Sequence, residues 1–451
     1  MWHLGSSSLF VDEVQSWDDA RRSLSWLWTQ VRLNEQTPPG YFVLLHGWIK
    51  YLAPAVSEFW LRFPSVIAGA GLVGAVCWLG SLVSGRRVAV VSGVLAVFSP
   101  FLFDYAQEVR VYIFAMLAIT VSVAALLVAE RSSHPWRWLA LSAAAATAAQ
   151  AAHYTAWLVL LPLAVYLLFW SPLPGRMRIV WVAVVLVAGA AWIPLLVAQI
   201  SAAPNGWLGS FANLSFGHFG DIFGVPFRGR SFQPWGRSVV GAGIVIAALL
   251  VVLATNRTRQ ARMLVALALA PPSALLVTTL LAHDALLPRY TAVAVPFMIV
   301  VIGLAAIRLP RPLALVVIAG TLVLSLWNVR ASDRPSGRYA DMRGALRYVR
   351  AGYHAGDLIA IEGTGVIIKE LRYYVPRALP SGAHVALVRS GLPADVLTRR
   401  AVRRASHDRA PIWFVNSHAA LGNPVPPGYV QTASRQFPAV RWFTVTRVQP
   451  R

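Results

Sequence analysis

The chain has 451 residues, 57% of them hydrophobic and only 13% charged, with a formal net charge of +22. Soluble domains carry about 25% charged residues, so the composition excludes an ordinary soluble protein and indicates an integral membrane one. The basic excess sits in short turns between apolar runs and in the carboxy-terminal third, so membrane topology accounts for it without a nucleic-acid partner.

Residues 1 to 11, MWHLGSSSLFV, lack the basic head and the apolar length of a cleavable signal peptide. Asp12 and Glu13 follow, in SLFVDEVQSW. Residues 41 to 52, within TPPGYFVLLHGWIKYLAP, would rise only about 18 Å as a helix. That is too short to span, and the interleaved Tyr41, His46, Trp48, Lys50 and Tyr51 predict a helix lying in the membrane interface. Ten apolar runs come next, at about 59–83, 88–103, 110–129, 136–152, 155–170, 178–199, 237–255, 261–282, 290–307 and 311–327. They are continuously apolar rather than alternating, which predicts helices instead of a barrel. Cys77, the single cysteine, lies inside a run, which excludes an intrachain disulfide and a cysteine metal site.

Five connections carry arginines: Arg86 and Arg87; Arg131 and Arg137; Arg176 and Arg178; Arg257, Arg259 and Arg262; Arg308 and Arg311. The positive-inside rule puts these in the cytoplasm. The intervening turns near 104–110, 153–154, 200–236 and 283–289, the amino end and everything after residue 328 are then expected outside. The chain divides into an extracytoplasmic first loop (1–58), a membrane bundle (59–328) and an extracytoplasmic domain (329–451). In that last part RYADMRGALRYVRAG, TGVIIKELRYYV and PADVLTRRAVRRA predict helices, and DLIAIE, HVALV, PIWFV and VRWFTVTRV predict strands. The fold class expected is thus a polytopic all-α bundle of about ten transmembrane helices with a small α/β domain. Its glycines form no GxGxxG loop, so no nucleotide is assigned. Arginine far outnumbers lysine, which points to a GC-rich bacterial genome.

Four outside features have the residue types for chemistry. Asp12 and Glu13 could provide a base for an attacking hydroxyl; the alternative is helix capping. In SPFLFDYAQEVRVY, the polar Asp104, Gln107, Glu108 and Arg110 interrupt an apolar hairpin, where such groups are costly unless used or paired. His153 and Tyr154 stand where two runs meet, as ligand, base or structural residue. In HDALLPRY, Arg289 has the fork geometry that matches phosphate and Tyr290 adds a donor; the alternative is an interfacial anchor. Asp12, Glu13, Glu108 and His153 could also supply ligands to a divalent metal, although no pair has diagnostic spacing. The aromatic, glycine-rich loop from 201 to 235, with Trp207, Phe211, Phe216, His218, Phe219 and Phe223, reads as a lid or as interfacial packing.

The order of these motifs, DE, TPPGYFVLLHGW, EFWLRFPSVIAG, SPFLFDYAQEVRVY, HYTAWLVLLP, PRY and then YADMRGALRYV, resembles the GT-C membrane glycosyltransferases, specifically family 39 with its protein O-mannosyltransferases and lipid A aminoarabinose transferases. The resemblance is densest over residues 9–170. It implies transfer of a sugar from a polyprenyl-phosphate donor to a glycan, lipid or protein acceptor, with inversion, on the outer face of the plasma membrane. It further implies that Asp12 is the base and Glu13 its partner, that Gln107, Glu108 and Arg110 form the second-loop pattern, and that Arg110, Arg289 and Tyr290 face the carrier phosphate. His153 and Tyr154 join the substrate-binding set. Some GT-C relatives need a divalent ion and others do not. Relatives carry a transmembrane helix ahead of the acidic pair, so a misplaced start and an eleventh span are expected. A lipid or solute transporter is the alternative reading, and a non-catalytic scaffold a third. Against the transporter, the charges cluster at the outer surface and no internal repeat is visible.

Overall fold

The computed structural model describes residues 4–202, 216–229, 235–282, 288–333, 341–363, 365–389, 409–417, 425, 428–437 and 443–451. Two short helices, α1 (Val11–Ala20) and α2 (Leu24–Asn34), precede α3 (Gly40–Gly47), which continues into one π-helical turn, Trp48–Leu52. The apolar runs become α4 (Glu58–Ser84), α5 (Arg86–Val97), α6 (Pro100–Tyr105), α7 (Tyr112–Ala129), α8 (Pro135–Ala152), α9 (Trp157–Trp170), α10 (Gly175–Ala190) and α11 (Ile193–Ala202). After the short α12 (Phe216–Phe223) come α13 (Trp235–Thr255), α14 (Arg259–Ala282), α15 (Val295–Ala306) and α16 (Arg311–Asp333). The rest is α17 (Met342–Gly352), β1 (Leu358–Gly363), α18 (Gly365–Ala378), β2 (His384–Arg389), β3 (Ile412–Ser417), β4 (Tyr429–Phe437) and β5 (Phe443–Pro450). Among the described residues seven helical segments are long and apolar enough to cross a membrane, with Tyr154–Phe169 as a shorter apolar one. This is the expected helical membrane bundle with a small carboxy-terminal sheet domain.

Two of the runs are subdivided. The run 88–103 breaks at Ser99, whose hydroxyl accepts the Leu102 N–H and whose successor Pro100 occupies the first helical turn. Serine followed by proline is a helix start, so α6 is a separate helix. The run 178–199 breaks at Ala191 and Trp192, just before Ile193-Pro194. The last outer turn enters its run through a 3₁₀ stretch, Pro288–Ala294.

The contacts divide the chain into two compact units, one of Met1–Asp18, Ser57–Phe59 and Asp333–Arg451, the other of Asp19–Val56 and Trp60–Ser332. In the helical unit α15 is buried on every side, from Val295 to Ala306, as expected of a helix apolar all round at the centre of a bundle. In contrast α16 exposes Leu315 and Val316 by about two thirds, which on a helix of this length and composition is a lipid-facing surface. α7 and α8 approach through small residues. The Ser122 hydroxyl donates to the Ser142 carbonyl and the Ser142 hydroxyl to the Ser122 carbonyl, both at 2.8 Å. Trp181 of α10 donates its indole N–H to Ser142 Oγ (3.0 Å), and the buried Gln150 amide donates to the Val185 carbonyl (3.0 Å). These bonds fix the position and rotation of α8, and with it the turn that follows. Close approach recurs at Gly40, where a Cβ would lie 2.6 Å from the Ala151 carbonyl oxygen, so α3 can pack on the end of α8 only as glycine.

The other unit is built on a five-stranded sheet in the order β2-β1-β3-β5-β4. β1 runs parallel to β2 and β3, and β5 antiparallel to β3 and β4. One face buries Leu358, Ala360, Ile412, Phe414, Tyr429 and Val448. Helix α17 buries Met342, Ala345, Leu346 and Val349, the i, i+3, i+4, i+7 spacing of an amphipathic helix. The strands at DLIAIE, HVALV, PIWFV and VRWFTVTRV and the helices at 342–352 and 365–378 form where the sequence puts them. β4 was not legible: YVQTASRQF is mostly polar and exposed, as an edge strand can be when its partner supplies the hydrogen bonds. The segment PADVLTRRAVRRA lies outside the described residues.

Candidate functional site

In the helical unit the functional features gather on the turn that ends α8. His153 leaves the helix with extended backbone (φ −151°, ψ 135°) and its side chain caps the short 3₁₀ turn after it. Nδ1 accepts the backbone N–H of Thr155 at 3.2 Å, with the Thr155 hydroxyl at 2.9 Å. A backbone N–H can only donate, so this bond assigns the ring its tautomer: Nδ1 accepts and Nε2 carries the hydrogen. His153 is 4% exposed, and its buried Nε2 has no hydrogen-bond partner among the described residues. Burial, then the charges of Arg110 and Arg289, hold its pKa down to about 3. At neutral pH it is therefore an uncharged donor within the field of two guanidinium groups.

Aromatic rings frame this group. The imidazole lies 5.3 Å from the Tyr112 ring and 6.2 Å from that of Tyr290. Arg110 sits 5.8 Å over Tyr112, and Arg289 5.8 Å over Tyr290. Tyr105 continues the ring series 4.9 Å beyond Tyr112. Tyr290 also packs against the cluster of Ile222, Phe223, Ala242 and Leu275, which ties the turn before α15 to α12, α13 and α14. Such an array of fixed cations, one neutral N–H and apolar rings suits an oxyanion attached to an apolar chain.

The structure thus brings together Arg110, His153, Arg289 and Tyr290, which come from three separate turns of the sequence. Three other predicted site residues of this unit use the side-chain or backbone groups described here elsewhere. The Gln107 amide donates to the Phe103 carbonyl (3.2 Å), and the Tyr154 hydroxyl donates to Gln199 Oε1 (2.9 Å). Gln199 in turn donates to the Val31 and Thr37 carbonyls, so Tyr154 helps hold the loop after α2. Glu108 is 3% exposed and its backbone carbonyl accepts the Ser65 hydroxyl. Sequence reasoning missed Tyr112; its signal was the aromatic two places after Arg110 in VRVY, which reads equally well as an interfacial anchor. His283, Asp284, Trp207 and Phe211 lie outside the described residues.

In the other unit Asp12 and Glu13 occupy the first turn of α1, where the helix dipole favours acids. They differ sharply. Glu13 is fully buried, and its Oε2 accepts the Phe10 N–H at 3.1 Å, which is the glutamate half of a capping box. Asp12 is half-buried, and its carbonyl accepts the Ser16 hydroxyl at 2.9 Å. Among the described residues no group of three or more His, Cys, Asp and Glu is placed to hold a metal ion.

The chain is similar to ArnT from Cupriavidus metallidurans in the apo state, with a TM-score of 0.59 at 15% identity over 98% of this chain and 94% of that one. ArnT bound to undecaprenyl phosphate gives 0.56, also at 15% identity, over 98% and 95%. The archaeal oligosaccharyltransferase AglB from Archaeoglobus fulgidus, in complex with an inhibitory peptide and a dolichol-phosphate, gives 0.50 at 9% identity over 89% of this chain and 65% of that one. Residues 36–197 match the family described as dolichyl-phosphate-mannose-protein mannosyltransferase. No curated protein matches in sequence. The likeness to ArnT therefore holds in fold along nearly the whole chain, and the sequence match to the mannosyltransferase family covers residues 36–197.

Proposed function

We propose that the protein is an inverting glycosyltransferase that moves a sugar from a polyprenyl-phosphate donor to a lipid, cell-wall glycan or protein acceptor on the outer face of the plasma membrane. The observation that carries this reading is the grouping of Arg110 and Arg289, over the rings of Tyr112 and Tyr290, around the buried His153. The similar ArnT and AglB structures hold undecaprenyl phosphate and dolichol-phosphate respectively, and both ligands are oxyanions on an apolar chain. The outer-face assignment rests on the arginine-bearing turns, which alternate with the turns that carry the site residues.

In this reading an acceptor hydroxyl attacks the anomeric carbon and the bond from that carbon to the phosphate oxygen breaks. The phosphate keeps the electron pair and the hydroxyl proton passes to Asp12. Charge on the phosphate grows as the bond breaks, so the two guanidinium groups stabilise the transition state more than the bound donor. His153 Nε2–H donates to the same phosphate, and Tyr112 and Tyr290 border its apolar chain. Glu13 is the partner of Asp12 and fixes the helix start that carries it. Gln107, Glu108 and Tyr154 support the second-loop turn and the loop after α2.

Membrane vesicles containing the protein, given radiolabelled undecaprenyl-phosphate mannose, glucose, galactose or arabinose, test the reading. Label from one donor is expected in a new glycosidic linkage, and Asp12→Asn is expected to slow that transfer by about 10² to 10⁴-fold. Label that crosses the membrane without a new linkage would establish a transporter instead.

A further inference from the structure

The small α/β domain has no role in the chemistry just described, yet it shares a compact unit with the first eighteen residues. From the geometry we infer that this domain is a clamp on the acid-bearing helix α1, with Arg343 and Tyr374 as the positioning residues that hold Asp12 for catalysis. The catalytic part of this inference rests on the proposed function; the clamp does not.

The contacts cluster on the segment from Gly5 to Leu9, ahead of α1. Arg343 Nη1 donates to the Gly5 carbonyl (2.8 Å) and to Glu58 Oε1 (3.2 Å), while Nη2 donates to the Ser6 carbonyl. The Arg343 backbone N–H donates to Ser8 Oγ (3.1 Å), and that hydroxyl donates to Asp341 Oδ1 (2.9 Å). Tyr374, fully buried, accepts the Leu9 N–H on its hydroxyl oxygen at 2.6 Å and donates to Glu58 Oε1 at 3.3 Å. Arg343 and Tyr374 thus meet on one carboxylate oxygen while each grips the backbone of the segment leading into α1. Further along α1, Trp17 packs edge-on against Tyr373 with ring centroids 4.8 Å apart, Arg377 lies 5.3 Å over Trp17 and 4.0 Å over Tyr373, and Arg372 pairs with Asp18 at 3.5 Å.

This arrangement has a physical consequence. The segment from Gly5 to Leu9 has no regular secondary structure of its own, so its backbone groups depend on side-chain partners. The partners described here, Arg343 and Tyr374, come from more than 300 positions later. A ten-residue helix such as α1 is marginal in isolation, and Asp12 stands in its first turn. Removing the Tyr374 hydroxyl deprives the buried Leu9 N–H of its acceptor and Glu58 of a donor. The direct effect is at Leu9, three residues before Asp12. A base displaced by even about 1 Å costs up to 10²-fold in rate.

The test compares wild type, Tyr374→Phe, Arg343→Lys and Asp12→Asn, all full length in nanodiscs. Amide hydrogen exchange of residues 5–17 is expected to rise in Tyr374→Phe, and by less in Arg343→Lys, which keeps the cation near Glu58 but not the fork. Exchange over α7, α8 and α15 is expected to be unchanged. In the vesicle assay Tyr374→Phe is expected to lower kcat by about tenfold with the donor KM unchanged. Added to Asp12→Asn it should cause no further loss, because both act on one group. Unchanged exchange over 5–17, or full additivity with Asp12→Asn, would overturn the clamp as a positioning device. If Asp12→Asn transfers sugar at the wild-type rate while exchange still responds, the base assignment fails and the clamp itself stands.

Discussion

The acid-bearing helix start and the cation-bearing turns are read from equally short motifs, but they are assembled in different ways. Arg110, His153 and Arg289 stand at or beside the ends of α7, α8 and α15, helices fixed by interhelical packing. Their placement follows once the bundle forms, since each turn is short and its helices are rigid. Asp12 stands on a short helix whose leading segment is held by Arg343 and Tyr374 from the far end of the chain. A site on helix ends is rigid by construction, whereas one on a loop needs supporting residues from elsewhere. The cation cluster should accordingly be sensitive to changes in charge, and the acid to changes in distant residues.

The largest effects that would break or sharpen this contrast are at the arginines. Arg110→Ala and Arg289→Ala are each expected to reduce sugar transfer by about 10²-fold, the scale of losing one charge-stabilising donor, with hydrogen exchange over residues 5–17 unchanged. A rise in that exchange would mean that the acid helix depends on the cations after all. A smaller effect is expected at His153. His153→Phe should lower transfer by about tenfold, and His153→Gln, which keeps an N–H donor, should retain most of it. Equal losses in the two variants would remove the donor role.

A further effect is on stability. The folded His153 pKa lies near 3 and the unfolded value near 6.5, so the unfolded chain binds the extra proton between these limits. The stability linked to His153 is complete above about pH 6.5 and is lost as pH falls toward 3. The melting temperature of the detergent-solubilised protein should therefore fall with pH in this window, and less steeply in His153→Gln. Parallel profiles for the two proteins would contradict a neutral buried imidazole.

The bundle was legible because lipid imposes a simple rule on composition: runs of apolar residues appear as helices at nearly the expected places. The break at Ser99-Pro100 was also written in the sequence, but a run of apolar residues on both sides concealed it. In the candidate site, residue types and turns were legible and the division of labour was not. Asp12 and Glu13 look alike in sequence, and only burial and the Phe10 N–H separate a capping glutamate from a half-buried aspartate. The tautomer of His153 depends on one backbone bond from Thr155, and Tyr374 meets Leu9 across 365 positions, which no local pattern encodes.

The most direct test of the central claim is the affinity of the purified protein for undecaprenyl phosphate, measured by native mass spectrometry in wild type, Arg110→Ala, Arg289→Ala and Tyr374→Phe. Both arginine variants are expected to bind at least tenfold more weakly, and Tyr374→Phe to bind as wild type does. Wild-type affinity in both arginine variants would contradict a phosphate site built on Arg110, His153 and Arg289.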